Sequence, residues 1–191
     1  GIDYLLFRRG PLTMAPSQFG IFTKSDKRFD TPNIEFHIQP LSLDSFGKPL
    51  HKFPGLTVSV CNLRPLSRGT VSLSSSNPFD KPKIAPNYLS DYEDQQVAVE
   101  SILKARELMA TNEMAVFEPE EFLPGKNFVK PEELVQEAGK ISTTIFHPIR
   151  TAKMGSYDDP MAVVNEKLKV RGFKNLRVVD GSVMPVITSG N

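Results

Sequence analysis

Apolar and polar residues alternate in short runs through the first third of the chain. Pro, Gly, Ser and Asp break these runs, and a period of two is typical of strands in an antiparallel sheet. The pattern predicts strands over residues 4–7, 19–23, 34–39, 56–61 and 69–73. We therefore expect one antiparallel sheet of about five or six strands, with one face covered by other elements.

The hydrophobic period changes from two to between three and four after residue 90. Ser90 and Glu93 have the spacing of a capping box, and apolar residues then recur at helical intervals as far as Met109. This pattern predicts a long amphipathic helix over residues 91–110. A second, shorter helix is predicted to begin at Pro131, because proline suits the first helical turn. Residues 113–127, between these helices, are predicted to be irregular. The order of elements indicates an α+β fold in which these helices cover the sheet.

A β-branched run near the end of the chain closes on an Asp-Gly pair, LRVVDGS at residues 176–182. This pattern is typical of a strand that is buried on both faces and opens toward a ligand at its carboxyl end. We expect the partners of this strand to lie outside the chain. The region after residue 153 is therefore expected to be disordered, displaced or paired with another copy of the chain.

Composition and charge narrow the classes of partner. The 191 residues carry 23 basic and 22 acidic side chains, for a net charge of +1, without the basic block that tracks a phosphate backbone. We expect no nucleic-acid partner, and the absence of a long apolar run argues against a membrane span. Cys61 is the one cysteine, so no internal disulfide can form, which fits a reducing compartment such as the cytoplasm.

Three histidines are candidates for chemistry. His51 lies in a turn-rich stretch, and we interpret it as a solvated surface residue. His37 shares one strand face with Glu35 and Gln39, and that face is either exposed or the polar lining of a pocket. His147 lies between a run of β-formers and Pro148, which hold the backbone extended. An imidazole there could accept a proton near neutral pH, although a structural role remains open on these grounds alone.

Five blocks in the last third of the chain resemble the carboxy-terminal part of the glucose-methanol-choline oxidoreductases. In order they are HPIRTAKMG, DPMAVVN, LKVRG, LRVVDGSVMP and ITSGN, at residues 147–155, 159–165, 168–172, 176–185 and 187–191. Three earlier blocks are similar to the substrate domain of the choline dehydrogenase-like branch: GIDYLLFRRGPL, PNIEFHIQP and RPLSRGTVSL. The resemblance covers nearly the whole chain.

The resemblance implies an FAD-dependent oxidation of a small alcohol, with choline as one possibility. It implies that His147 takes the hydroxyl proton of the alcohol and that Asn191 hydrogen-bonds the same oxygen. A base and a donor for the developing alkoxide are what the oxidation requires. Other residues implied by the resemblance are Asp180 and Gly181 near the cofactor's diphosphate and ribityl region, and His37, Gln39 and Ile145 in the substrate pocket. We assign no metal ligands.

The resemblance also implies what these residues lack and where they depart from the pattern. The nucleotide-binding fingerprint G-x-G-x-x-G is missing, so we expect a separate amino-terminal FAD-binding domain of the same protein as partner and an inactive chain in its absence. Residues 1–153 would form the substrate-binding domain, and residues 154–191 the segment that returns to the FAD-binding domain. Arg150 stands where the family usually has glycine. A lyase or an inactive binding domain on the same scaffold therefore stays open as an alternative.

Overall fold

Residues 2–10, 13–15, 17–45, 47–188 and 190 are described in a computed structural model of the chain. Within them the helices are α1 (Ile2–Phe7), α2 (Tyr92–Met109), α3 (Asn112–Ala115) and α4 (Pro131–Ile141). The strands are β1 (Phe19–Thr23), β2 (Ile34–Gln39), β3 (Thr57–Asn62), β4 (Thr70–Ser72) and β5 (Lys83–Ala85). A short 3-10 helix follows at Gly181–Val183. The predicted α+β class is confirmed.

The main sheet is antiparallel, with strand order β1-β2-β3. The bounds of β1 and β2 agree with the predicted strands, and β3 begins one residue later than predicted. One face of this sheet is apolar: Ile34 and Phe36 of β2 are buried together with Val97 of α2. The core therefore lies between this face and α2, as the period of two along β2 predicts.

The described strands form two sheets, whereas the sequence pattern predicted one. β4 and β5 pair only with each other, as an exposed antiparallel hairpin. The reason lies in the connection after β3. Pro65 has no backbone N–H, and the N–H groups of Leu66 and Ser67 donate to the carboxylate of Asp94 in α2. The chain is thereby directed to the helix, away from the edge of β3.

The two predicted helices are confirmed within one residue at each end of the long one. Asp91 caps α2 by accepting from the backbone N–H of Glu93, and Ala110 follows its last residue. α4 begins at Pro131 as predicted, with Leu134 and Ala138 buried. It packs mainly against α2, whereas both helices were predicted to cover the sheet. In the described part of the chain, no helix has the length and apolar character needed to cross a membrane.

Two predictions about local structure are wrong. Residues 4–7 were predicted as a strand, but they belong to α1, whose hydrogen bonds extend to Arg8, where N–H donates to Tyr4. A helix satisfies its own backbone groups, whereas a strand at this position would need a neighbour. The short helix α3 also occupies the start of the stretch that was predicted to be irregular.

The run at residues 176–179 finds a partner inside the chain, contrary to prediction. The N–H of Val178 donates to the carbonyl of Leu168, and the N–H of Val170 donates to that of Leu176. Isolated β-bridges pair Lys169 with Arg177 and Val170 with Val164, and Val164 is fully buried. The run forms no regular strand, and Val179 remains 70% exposed. Two hydrogen bonds along one edge are enough to hold it to its own chain.

Candidate functional site

The polar face of β2 is buried. Side-chain exposure is 4% for Glu35 and 14% for His37, so the interpretation of this face as solvated is wrong. Glu35 lies opposite Phe22 on β1 and Cys61 on β3, because all three occupy paired positions of the register. Polar side chains at buried positions of a sheet face point to a pocket or to a covering segment.

A ring nitrogen on this face lacks a hydrogen-bond partner within the described part of the chain. Nε2 of His37 is buried and has no hydrogen-bond partner among the described residues. Oε1 of Glu35 lies 3.6 Å from it, which is longer than a hydrogen bond. A buried polar group without a partner costs about 1–3 kcal/mol. The predicted contact of His37 with a substrate stays a prediction.

Cys61 shares this face and stays protonated. Burial raises the pKa of its thiol, and the negative charge of Glu35 raises that pKa further. A thiol with a raised pKa is a poor nucleophile, because the thiolate is the reactive form. The interpretation of Cys61 as a small filler in a strand agrees with this environment.

Gly190 lies against the polar face of the sheet. A Cβ atom built on Gly190 would lie 2.1 Å from Cε1 of Phe22 and 2.8 Å from Oε2 of Glu35. Only glycine fits so close to β1 and β2. Asn191, the predicted partner of the base, lies outside the described residues.

The loop that carries His147 is tied to the segment after Asp180. The N–H of Ala152 donates to the carbonyl of Ser182 at 3.1 Å, and the N–H of Met154 donates to that of Val183 at 2.8 Å. His147 itself is exposed at the end of this loop. The loop of the predicted base and the segment of the predicted cofactor-binding residues are therefore neighbours in space, although they are about 30 residues apart in sequence.

Arg150 adopts the backbone conformation for which glycine is suited. Its φ angle is +77°, in the left-handed region, which costs an L residue roughly 1–2 kcal/mol. Its Nη1 donates to the carbonyl oxygen of Pro185 at 2.8 Å. Arg150 thus occupies a conformation that favours glycine, and its side chain bonds to the segment after Asp180.

Asp180 is fixed by its own turn. Its carboxylate accepts from the side chain and from the backbone N–H of Ser182, and these bonds lower the pKa of Asp180. Gly181 is exposed, and a Cβ built there would meet only the carbonyl oxygen of Pro148, at 3.9 Å. The backbone at Gly181 is therefore open to close approach by a bound group, which fits its predicted place beside FAD.

The two remaining predicted substrate residues occupy the edges of this region. Gln39 ends β2, and its Nε2 donates to Oγ of Ser17. Ile145 lies two residues before His147 and is 38% exposed. Their contact with a substrate stays a prediction.

The interpretation of His51 as a solvated surface residue is wrong. Its side chain is only 14% exposed, and its ring nitrogens lie 3.0 Å from Oγ of Ser42 and 3.0 Å from Oδ1 of Asp44. The ring stacks on Phe53 and meets Phe122 edge to face. His51 thus holds the β2–β3 connection to the segment before α4. Nothing in the turn-rich sequence around it indicates contact with Phe122.

Comparison with known proteins gives consistent results. The family described as GMC oxidoreductase matches residues 65–191. An alcohol dehydrogenase [acceptor] of Pseudomonas putida is 39% identical over 99% of the chain and 34% of its own length. An oxygen-dependent choline dehydrogenase of Vibrio vulnificus is 39% identical over 100% of the chain and 34% of its own length. The chain thus spans about a third of these relatives.

Among solved structures, pyridoxine 4-oxidase from Mesorbium loti superposes with a TM-score of 0.79 at 27% identity. The superposition covers 90% of this chain and 34% of the oxidase. The arrangement of β1–β3, α2 and α4 is therefore one that a known oxidase also contains.

Proposed function

Since the chain belongs to the GMC oxidoreductase family, we propose that it supplies the substrate-binding side and the catalytic base of an FAD-dependent alcohol oxidation. The observation that carries this proposal is the path of the chain after Asp180. This path is bonded at Ser182 and Val183 to the loop of His147, and at Gly190 it lies against Glu35. One segment thus joins the proposed base to the polar face that carries His37.

His147 is the proposed proton acceptor. Its side chain is exposed at the end of a loop that two backbone hydrogen bonds hold in place, so it can meet a group that approaches from outside this chain. Taking the proton from an alcohol oxygen allows the carbon to release a hydride. Asn191 is proposed to donate a hydrogen bond to the same oxygen and so to stabilise the developing negative charge.

FAD, when bound, supplies the redox chemistry. Asp180 and Gly181 are the residues of this chain proposed to hold it, since the backbone at Gly181 is open on its exposed side. The amino-terminal FAD-binding domain of the same protein is the proposed partner. A cytoplasmic location is proposed from the lone cysteine.

The proposed substrate is a small alcohol. His37 would bind one of its polar atoms, because Nε2 of His37 is buried and lacks a hydrogen-bond partner among the described residues. Gln39 and Ile145 are proposed to complete the pocket. Choline is a candidate by analogy with the Vibrio vulnificus relative, and a quaternary ammonium group would find an aromatic face at Phe22, which is 53% exposed.

The proposal is tested on the full-length, flavin-loaded protein. Under anaerobic conditions the visible flavin absorbance is expected to bleach on addition of alcohols, choline included. Flavin that stays oxidised with every alcohol would favour the alternative, a lyase or a binding domain on the same scaffold.

The role of His147 is tested by the variant His147→Ala. Turnover is expected to fall by roughly two to four orders of magnitude, the usual contribution of a general base, with flavin content unchanged. The control is His51→Ala, which removes a histidine outside the site and is expected to lower thermal stability without a comparable loss of turnover per flavin. Unchanged turnover in His147→Ala would return His147 to a structural role.

A further inference from the structure

We propose that Arg150 is a positioning residue for His147, and that its guanidinium clamps the loop of His147 to the segment after Asp180. The inference rests on the proposed function, because it takes His147 as the base. It goes further by assigning a task to a side chain that stands three positions after His147, where the resemblance to the family implies glycine.

The backbone of Arg150 needs support from its surroundings. At a φ of +77°, the Cβ atom crowds the following carbonyl oxygen, so L residues with long side chains rarely adopt this conformation. A non-glycine residue keeps this backbone conformation only where the surrounding contacts hold it in place. The turn at Arg150 is closed on one side by the N–H of Lys153, which donates to the carbonyl of Arg150 at 3.2 Å.

The side chain of Arg150 supplies the remaining support. Nη1 donates to the carbonyl oxygen of Pro185 at 2.8 Å. A hydrogen bond from a charged donor is stronger than one between neutral groups. Together with the backbone bonds from Ala152 to Ser182 and from Met154 to Val183, it gives three parallel ties between the two segments. We call these three hydrogen bonds the 150–185 clamp.

The clamp predicts an unusual order in how well two variants of Arg150 are tolerated. Arg150→Ala keeps the conformational penalty of a Cβ and loses the bond to Pro185. Arg150→Gly loses the same bond but also removes the penalty, so the two changes offset each other. Arg150→Gly should therefore be better tolerated than Arg150→Ala. A guanidinium that acted only by its charge, or by touching the substrate, would make both variants equally defective.

Amide hydrogen exchange in the full-length, flavin-loaded protein measures the clamp directly. The amides of Ala152 and Met154 are expected to exchange about 5- to 30-fold faster in Arg150→Ala, and within about threefold of the parent in Arg150→Gly. Equal acceleration in both variants, or none in Arg150→Ala, would overturn the proposal. Exchange needs no turnover, so it tests the clamp even if His147→Ala shows that His147 is not the base.

Steady-state kinetics test the effect on His147. In Arg150→Ala, kcat is expected to fall about 3- to 30-fold with KM unchanged, and Arg150→Gly is expected to restore most of it. A raised KM in both variants would mean that the guanidinium binds substrate, and would sink the proposal.

A second variant covers the case in which Arg150→Ala does not fold. Asparagine tolerates left-handed φ values better than alanine does, but it is too short to reach Pro185. In Arg150→Asn the two amides should exchange faster than in the parent and faster than in Arg150→Gly. Exchange equal to that of the parent would overturn the proposal.

Discussion

Asp180 stabilises the turn at one end of the proposed site. Its carboxylate caps the 3-10 helix by accepting the hydrogen bonds from Ser182. The ionised form accepts these bonds better than the neutral acid does, and this lowers the pKa of Asp180. The turn that presents Gly181 therefore depends on a charged Asp180.

This dependence predicts how the turn responds to pH. Because the pKa of Asp180 is lower in the folded than in the unfolded state, its stabilising contribution is present above the unfolded value, about 3.9. The contribution is lost as the pH falls through the folded value. Carbon-detected NMR should find the Asp180 carboxyl titrating below the ordinary range, and Ser182→Ala should raise its pKa toward that range. Ser74→Ala, in the distant β4–β5 hairpin, is the control, and a carboxyl that titrates at the ordinary value would contradict the prediction.

At the scale of elements, α2 organises the connections around the main sheet. Asp94 lies on its first turns and is 4% exposed. Its carboxylate accepts from the backbone N–H groups of Leu66 and Ser67 and from Nδ2 of Asn62. One buried carboxylate thereby joins the helix, the end of β3 and the turn that leads to β4.

Removing this carboxylate should destabilise the fold. Asp94→Ala leaves three donors without their acceptor, and we expect a loss of about 2–4 kcal/mol in unfolding free energy. Asp94→Asn keeps one acceptor oxygen and should lose less. Thermal or urea unfolding followed by circular dichroism measures the difference. Glu107→Ala is the matched control, because that side chain on the same helix is 73% exposed and should change stability by less than about 0.5 kcal/mol.

At the scale of the whole molecule, the chain presents much apolar surface. Leu73 and Phe79 of the β4–β5 hairpin are 85% and 92% exposed, and Val116 and Phe117 after α3 are 76% and 74% exposed. We expect these side chains to contact another protein surface, because large exposed apolar patches mark such contacts. The relatives reported above are about three times as long as the chain, and their remaining length is where such a surface could lie.

The 191-residue chain expressed alone should therefore self-associate. Light scattering coupled to size exclusion should show oligomers that dissociate on dilution, and an apolar dye should bind. Co-expression with the proposed amino-terminal FAD-binding domain should abolish both effects, because that domain is expected to cover the exposed side chains. A monomer that binds no dye at any concentration would contradict the prediction. The predicted division of the chain into residues 1–153 and 154–191 stays a prediction.

The sequence by itself determined the elements whose pattern is local. Alternation along β1 and β2 and the 3.6 period of α2 depend on neighbouring residues, so the bounds of these elements were predicted within one residue. The order of the five blocks was likewise enough to indicate the family, whereas the roles of His147, Asn191, Asp180 and Gly181 stay predictions. Each of these inferences needs only the residue types and their spacing.

The tertiary structure decided which groups meet, because those contacts join residues that are distant in the chain. The close approach of Gly190 to Glu35 depends on bringing together residues that are more than 150 positions apart. The contact of His51 with Phe122 and the bond of Val178 to Leu168 depend in the same way on where connections turn. A hydrophobic period states which face of a strand is polar. What covers that face is determined by packing, and packing is a property of the whole fold.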